Sequence, residues 1–370
     1  MTTLFVYLLS LLQFLTSSDD VTLVFAGDAM QHDRQIAAAQ KGNTYDYSDC
    51  FKYVSDYISA ADYAVVNFEC TLGGRPYKGY PCFSAPDEYA MALKDAGFDL
   101  FLHANNHCLD RRDAGLGRTL DMLDSYGISH IGTYRNTAER ERCNSFITNV
   151  KGLRIGILNY TYGTNGIEIQ RDVRVNYIDK KQIADDVAQL RKQSPDLISV
   201  CIHWGNEYQL VENAIQRDLA NFLEDLGVDL IIGGHPHVIQ PMEIRHSKKW
   251  DKDILVVYSL GNFISAMRTG DTRGGALVKV VVERTKSKPQ IKSASYKLVY
   301  VQTPVDGHNY QLIPTDRTDL LRGENKTHFH TFVNSARKIF NKYNKSVAED
   351  SSVVVVRTPI PLVPANDSLD

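Results

Sequence analysis

The chain has 370 residues, enough for one large domain or two ordinary ones. Hydrophobic residues make up 43% and charged residues 23%, which excludes a disordered chain, collagen and a multi-span membrane protein. Lys plus Arg number 41 against 44 for Asp plus Glu, so the net charge of −3 leaves no basic footprint for nucleic acid, and the six cysteines contain no C-x-x-C pair.

Residues 3–16, TLFVYLLSLLQFLT, are almost continuously apolar and are followed by Ser17, Ser18, Asp19 and Asp20. A membrane span needs about 20 apolar residues, whereas this length suits a signal-peptide core. Residues 1–18 therefore read as a signal peptide and the chain as exported, with no cysteine following to take a lipid. From Val21 onward short apolar runs alternate with amphipathic stretches, the pattern of a layered α/β domain. Strands are expected at 21–26, 64–67, 99–104, 128–131, 153–160, 196–203 and 229–232. Helices are expected at 49–60, 87–96, 114–126, 179–193 and 213–226, three of them stopped by Gly97, Gly127 and Gly227. After Asn262 the character changes. Runs 276–282 and 291–301 read as a β-hairpin, and a late helix covers about 331–343. The expected organisation is one α/β domain over 21–265, with 266–370 as a β-rich extension, a helix and a tail.

The informative feature is where polar residues fall. Asp28, Asn67 and Glu69, Asn105-Asn106-His107, His203, and His235 with His237 each follow an apolar run directly. In a layered α/β sheet the carboxyl ends of strands gather on one edge, and ligands bind there. Oxygen and imidazole donors of this kind suit Mn, Zn or Fe, and the lack of thiolates fits an open catalytic site better than a closed structural one. Taken singly, each has a bland reading: a turn, a helix cap, or a satisfied core histidine at His203. Gly233-Gly234-His235-Pro236-His237 is the strongest single element, because two glycines free the backbone and a rigid proline separates the histidines.

The set resembles the CapA family, named for capsule and poly-γ-glutamate synthesis and related to the calcineurin-like metallophosphoesterases. The resemblance rests on FAGDAM (25–30), VNFECTL (66–72), FSAPDEYAMALKDAGFDLFLHANNHCLD (83–110), HWGNEY (203–208), GGHPHV (234–238 at its core) and YSLGNFI (258–264). It implies a two-sheet sandwich flanked by helices, with the site at one edge. By the same resemblance Asp28, Glu69, Asn106, His203, His235 and His237 correspond to metal ligands, Glu69 as the bridging carboxylate, and His107 to the catalytic histidine beside the leaving group. Asn67, Asn105 and Glu207 are further candidates for ligand or substrate contact. Two positions depart from the pattern: Met30 stands where phosphoesterases usually have a histidine, and Ser84 where the family often has an arginine.

These residues imply metal-assisted hydrolysis with one or two divalent cations. The resemblance implies an anionic surface polymer or its precursor as the substrate, and membrane-associated synthesis machinery as the partner. A non-catalytic polymer-binding component and a phosphoesterase of other substrate are the alternatives. In an oxidising compartment Cys70 and Cys82 are candidates for a bridge closing the segment 71–81, which would add about 3 kcal/mol of stability.

Overall fold

The computed structural model describes residues 20–285 and 288–352, so the apolar segment 3–16 lies outside the described residues. Val21–Ala29 (β1) shows why a strand forms at the centre of this fold. Val21, Leu23 and Phe25 point to one face and Val24 and Ala26 to the other, and both faces are buried. Tyr63–Phe68 (β2), Leu100–Leu102 (β3) and Ser129–Ile131 (β4) follow β1 in parallel. Phe146–Val150 (β5), Leu153–Thr161 (β6), Leu197–His203 (β7), Leu230–Gly234 (β8), Met242–Ser247 (β9) and Lys252–Val257 (β10) make a second, six-stranded sheet in the order β9-β10-β8-β7-β6-β5. The chain then returns to the first sheet as Asn262–Ile264 (β11), Gly274–Glu283 (β12), Gln290–Gln302 (β13), Gln311–Pro314 (β14) and Val347–Glu349 (β15). Its order is β14-β13-β12-β1-β2-β3-β4, with β11 on β1 and β15 on β13.

The expected two-sheet sandwich flanked by helices is the observed architecture. Between the sheets, Leu23, Phe25, Val65 and Leu100 meet Ile155, Ile157, Cys201 and Leu255 in one apolar cluster. Outside the first sheet lie Asp33–Ala39 (α1), Ser48–Phe51 (α2), Ser55–Ser59 (α3), Asp87–Asp95 (α4) and Arg112–Ser125 (α5), contributing Phe51, Ile58, Tyr89, Leu93 and Leu123 to a second cluster. After Thr137–Cys143 (α6), helices Lys180–Arg191 (α7) and Ala214–Asp225 (α8) cover the second sheet through Ile183, Val187, Leu190, Leu219 and Leu223. Asn325–Tyr343 (α9) joins the inter-sheet cluster through Phe329, Phe332 and Phe340. Each fully buried side chain of this size contributes about 1.5–3 kcal/mol. No described helix is long and apolar enough to cross a membrane.

Three expectations change. The single helix at 49–60 is two short ones, because Val54 leaves helical geometry (φ −121°) and its N–H bonds Phe51 only three residues back. The hairpin at 276–301 forms, but it is no appendage: β12 pairs antiparallel with β1 over Val21–Phe25, and residues past 265 supply four of the nine strands of the first sheet. Cys70 and Cys82 are free thiols. Cys70 is sealed in the core, and the loop between them is held by other means. The Thr71 hydroxyl donates to the Phe83 carbonyl (2.7 Å), and Lys78 and Ser84 exchange backbone hydrogen bonds.

Candidate metal centre

β1, β2 and β3 run parallel to one another in the first sheet, as do β7 and β8 in the second, and all end on one edge, which is where their polar residues meet. A register shift between Ala26 and Asp28 re-aims Asp28, and Gly27 is required there because a Cβ would sit 1.9 Å from the Gly261 carbonyl oxygen. Within the second sheet, His203 pairs in register with Gly234. A Cβ on Gly234 would lie 2.8 Å from Asp28 Oδ1 and 3.6 Å from His203 Nδ1, so only glycine leaves this space open. His235 and His237 both adopt left-handed backbone (φ 98° and 59°), a strain of about 1–3 kcal/mol each that the surroundings must enforce. The Asp28 carboxylate accepts from the His235 N–H (3.3 Å), and the Pro236 carbonyl accepts from the Tyr208 N–H (2.8 Å).

The structure brings Asp28, Glu69, Asn106, His203, His235 and His237 together, all buried. Two donor groups result, Asp28–Glu69–His203 and Glu69–His235–His237, each with ligand atoms within 4.8 Å of one another and sharing Glu69. His237 Nδ1 lies 3.2 Å from Asp28 Oδ2, and His203 Nε2 and His237 Nε2 lie 3.5 and 3.9 Å from Glu69 Oε1. Asn106 Oδ1 accepts from His203 Nε2 at 2.8 Å, and Asn106 Nδ2 donates to Asn165 Oδ1 at 3.1 Å.

The donor chemistry fits a divalent cation. Glu69 Oε1 and His235 Nδ1 are buried with no hydrogen-bond partner among the described residues, a cost of about 1–3 kcal/mol apiece unless another group meets them. Asn67 Nδ2 donates at once to Asp28 Oδ1 (2.8 Å) and Glu69 Oε2 (3.3 Å) and lies 3.3 Å from His203 Nδ1, so three lone-pair atoms converge on one point. Burial pushes Glu69 well above the usual carboxylate range, and Asp28 beside it adds to the shift. Burial also acts upward on Asp28, but the His237 and His203 imidazoles and the Asn67 amide outweigh it and hold it below that range. Burial, aided by neighbouring imidazoles, drives His203 well below its usual value and His235 down to about 3. Both rings are thus neutral at pH 7, the form that ligates a metal.

The remaining candidates separate. Asn67 turns its oxygen toward Asn105 Nδ2 (3.3 Å) and away from the donor set. Asn105 also reaches the Phe68 carbonyl and accepts from the His107 N–H, so it positions its neighbours rather than joining the ligands. Glu207 is exposed and stays at the rim beside Tyr208. Met30 packs in the apolar cluster beneath the helices, and Ser84 spends its hydroxyl on the Gly74 carbonyl (2.7 Å). His107 is set against Asp110 (Nδ1 to Oδ2, 2.7 Å) with the Phe83 ring edge-on at 4.6 Å.

Sequence reasoning passed over several residues here. Asp110 carried a signal, its three-residue spacing from His107. Asn262, which meets His237 Nδ1 at 3.1 Å, lay inside the segment 258–264. Tyr80, Tyr162 and Tyr208 carried none: three loops bring them to the mouth, where each ring lies within 4.4–6.5 Å of a site histidine.

Residues 22–267 match the family described as bacterial capsule synthesis protein PGA_cap. The chain belongs to that family. Among its relatives, the capsule biosynthesis protein CapA of Bacillus anthracis is 28% identical over 281 residues, 71% of this chain and 64% of that protein. The PGA biosynthesis protein CapA of Bacillus subtilis (strain 168) is 27% identical over 311 residues, 82% of this chain and 77% of that one. This family member thus spans just under two thirds of the first relative. Among solved structures it is similar to the NAD nucleotidase of Haemophilus influenzae (TM-score 0.49, 12% identity, 90% of this chain and 64% of that one). It is also similar to the calcineurin-like phosphoesterase YfkN of Bacillus subtilis (TM-score 0.45, 13% identity, 86% and 98% covered).

Proposed function

We propose that this PGA_cap family member is a metal-dependent hydrolase of capsule or poly-γ-glutamate metabolism, working on an anionic surface polymer outside the cytoplasm. The observation that supports it most is the pair of donor groups sharing Glu69, whose Oε1, like His235 Nδ1, is buried without a hydrogen-bond partner among the described residues. Asp28, Glu69, His203, His235 and His237 would hold Mn, Zn or Fe, with Asn106 adjoining. A divalent cation there supplies a polarised electrophile and an attacking water whose pKa falls to about 7.

The protein's own groups do the rest. Asp110 accepts from His107 Nδ1, which leaves Nε2 to carry the proton for the leaving group. Asn105 fixes the His107 backbone through its N–H, and Phe83 holds the ring from the side. Nothing in this geometry chooses between a phosphoester and an amide. Met30, turned into the core instead of toward the donors, favours the second reading, a polymer-binding component without turnover.

Metal analysis combined with hydrolysis assays on phosphoester and γ-glutamyl substrates separates the readings. Bound metal with turnover that His107→Asn removes supports the enzyme; bound metal with polymer affinity and no turnover supports the binder.

A further inference from the structure

A second feature lies beyond the donor set. A cavity of about 510 Å³ opens between the first turn of α1, the segment linking β11 to β12, and the start of α9. Arg34, Arg268 and Arg273 line it together with His328 and Tyr310, and Glu324 is its one carboxylate. Among the described residues none of the three guanidinium groups forms an ion pair; Arg34 and Arg268 donate no hydrogen bond from their side chains, while Arg273 donates to the Arg268 carbonyl (3.0 Å) and bonds the Tyr300 hydroxyl. Three cations around one cavity are unexpected in a chain of net charge −3. Like charges gathered this way repel, and the gathering is relieved when an anion enters. Arginine's planar fork matches a carboxylate or phosphate, which a solvated lysine patch would not do as well.

The cavity wall is tied to the metal edge. Ala266, which lines the cavity, donates its N–H to His32 Nδ1 (3.3 Å), two residues before Arg34. Asn262 faces His237 Nδ1 with its oxygen and donates through Nδ2 to the carbonyl of Thr272, next to Arg273. A chain with a repeating negative charge would therefore meet guanidinium groups beside the cation-binding edge.

We infer that the Arg34–Arg268–Arg273 cavity is an oxyanion-binding subsite that holds a carboxylate of an acidic polymer while another part of the same chain lies at the donor cluster. The polymer part of this inference rests on the proposed function; the oxyanion site does not. Two ligand sources share the chemistry, an acidic polymer and free phosphate, and both serve as probes.

The intact, metal-loaded protein is titrated calorimetrically with a short oligo-γ-glutamate and, separately, with inorganic phosphate. Arg34→Glu/Arg268→Glu is compared with Lys181→Glu/Lys192→Glu, on α7 and at its C-terminal cap, which makes the same charge change elsewhere. Among the described residues neither Arg34 nor Arg268 donates a side-chain hydrogen bond, so folding, checked by thermal melting, should be unaffected. The expected result is an affinity for the oligomer at least about tenfold weaker in the arginine variant alone. Metal content and turnover of a small phosphoester stay at the level of the wild type. Loss of phosphate binding in the arginine variant, with no oligomer binding by the wild type, keeps the oxyanion site and overturns its polymer ligand. Equal weakening in both variants, no weakening in either, or no binding of either probe by the wild type overturns the site. Binding is read without turnover, so a protein that hydrolyses nothing still decides the question.

Discussion

The same strands build two buried regions with opposite physics. Between the sheets β1 and β7 bury Leu23, Phe25 and Cys201 among apolar partners, while a few residues on they bury Asp28 and His203 among carboxyls and imidazoles. The first region gains from every side chain it hides. The second loses, because burial displaces Glu69, His203 and His235 from their ordinary pKa values and leaves two polar atoms without partners. Core stability holds together an edge that would not be stable alone, and mutations should divide along that line.

The largest effect is expected at the edge. Glu69→Gln or Asp28→Asn should remove metal and lower turnover by at least about a thousandfold, or 4 kcal/mol of barrier, while the melting temperature of the metal-free protein stays level or rises. Metal analysis, kinetics and calorimetry on one preparation check this. Matching losses of stability and metal would erase the distinction. His107→Asn should lower turnover by about 10²–10⁴ and leave metal content intact; loss of metal would make His107 a ligand.

In the core the pattern reverses. Phe101 is fully buried, with the Phe68 ring 5.3 Å away, and Phe101→Ala should cost about 3–5 kcal/mol in denaturant unfolding. Turnover per folded molecule should stay within about twofold, since nothing that contacts substrate has changed.

Acid distinguishes the regions as well. His235 and the core histidine His103 are both depressed to about 3, chiefly by burial. The unfolded chain titrates its histidines near 6.5, so below that pH it binds more protons than the folded one. Stability is complete above about pH 7 and falls as the pH drops, by about 2 kcal/mol per such imidazole at pH 5. Metal should oppose the fall at His235 and not at His103, which pairs with Thr133 and the Cys70 carbonyl. Unfolding curves at pH 5 and 7.5, with and without metal, give the comparison. A fall that metal does not reduce would count against His235 as a ligand.

The smallest expected change is on the surface. Asn136 caps α6 by accepting from the Glu139 N–H (2.8 Å), and Asn136→Ala should cost about 1 kcal/mol with no effect on metal or turnover.

Much of this division was legible in the sequence. Apolar periodicity located the central strands because both faces of β1, β2 and β7 are buried, and strand-end polarity pointed to side chains that cluster because parallel strands share an edge. Legibility ended where partners come from far along the chain. The hairpin after residue 274 looked appended because nothing local shows that β12 pairs with β1, 250 or more residues earlier. Asn67 and Asn105 read as ligand candidates because sequence shows residue type but not which way an amide turns. The Cys70–Cys82 bridge looked plausible from spacing, yet backbone hydrogen bonds already close that loop. His203, which alone suited a satisfied core histidine, sits in the donor cluster, and it is His103 that has the core role.

The central claim is that the strand-end cluster holds a divalent cation through Glu69. Titrating metal-free protein with Mn²⁺ or Zn²⁺ by calorimetry, in the wild type, Glu69→Gln and His107→Asn, tests it directly. The wild type should show one or two sites, Glu69→Gln should lose or severely weaken them, and His107→Asn should bind like the wild type. Equal binding by the wild type and Glu69→Gln, or none by the wild type, would contradict it.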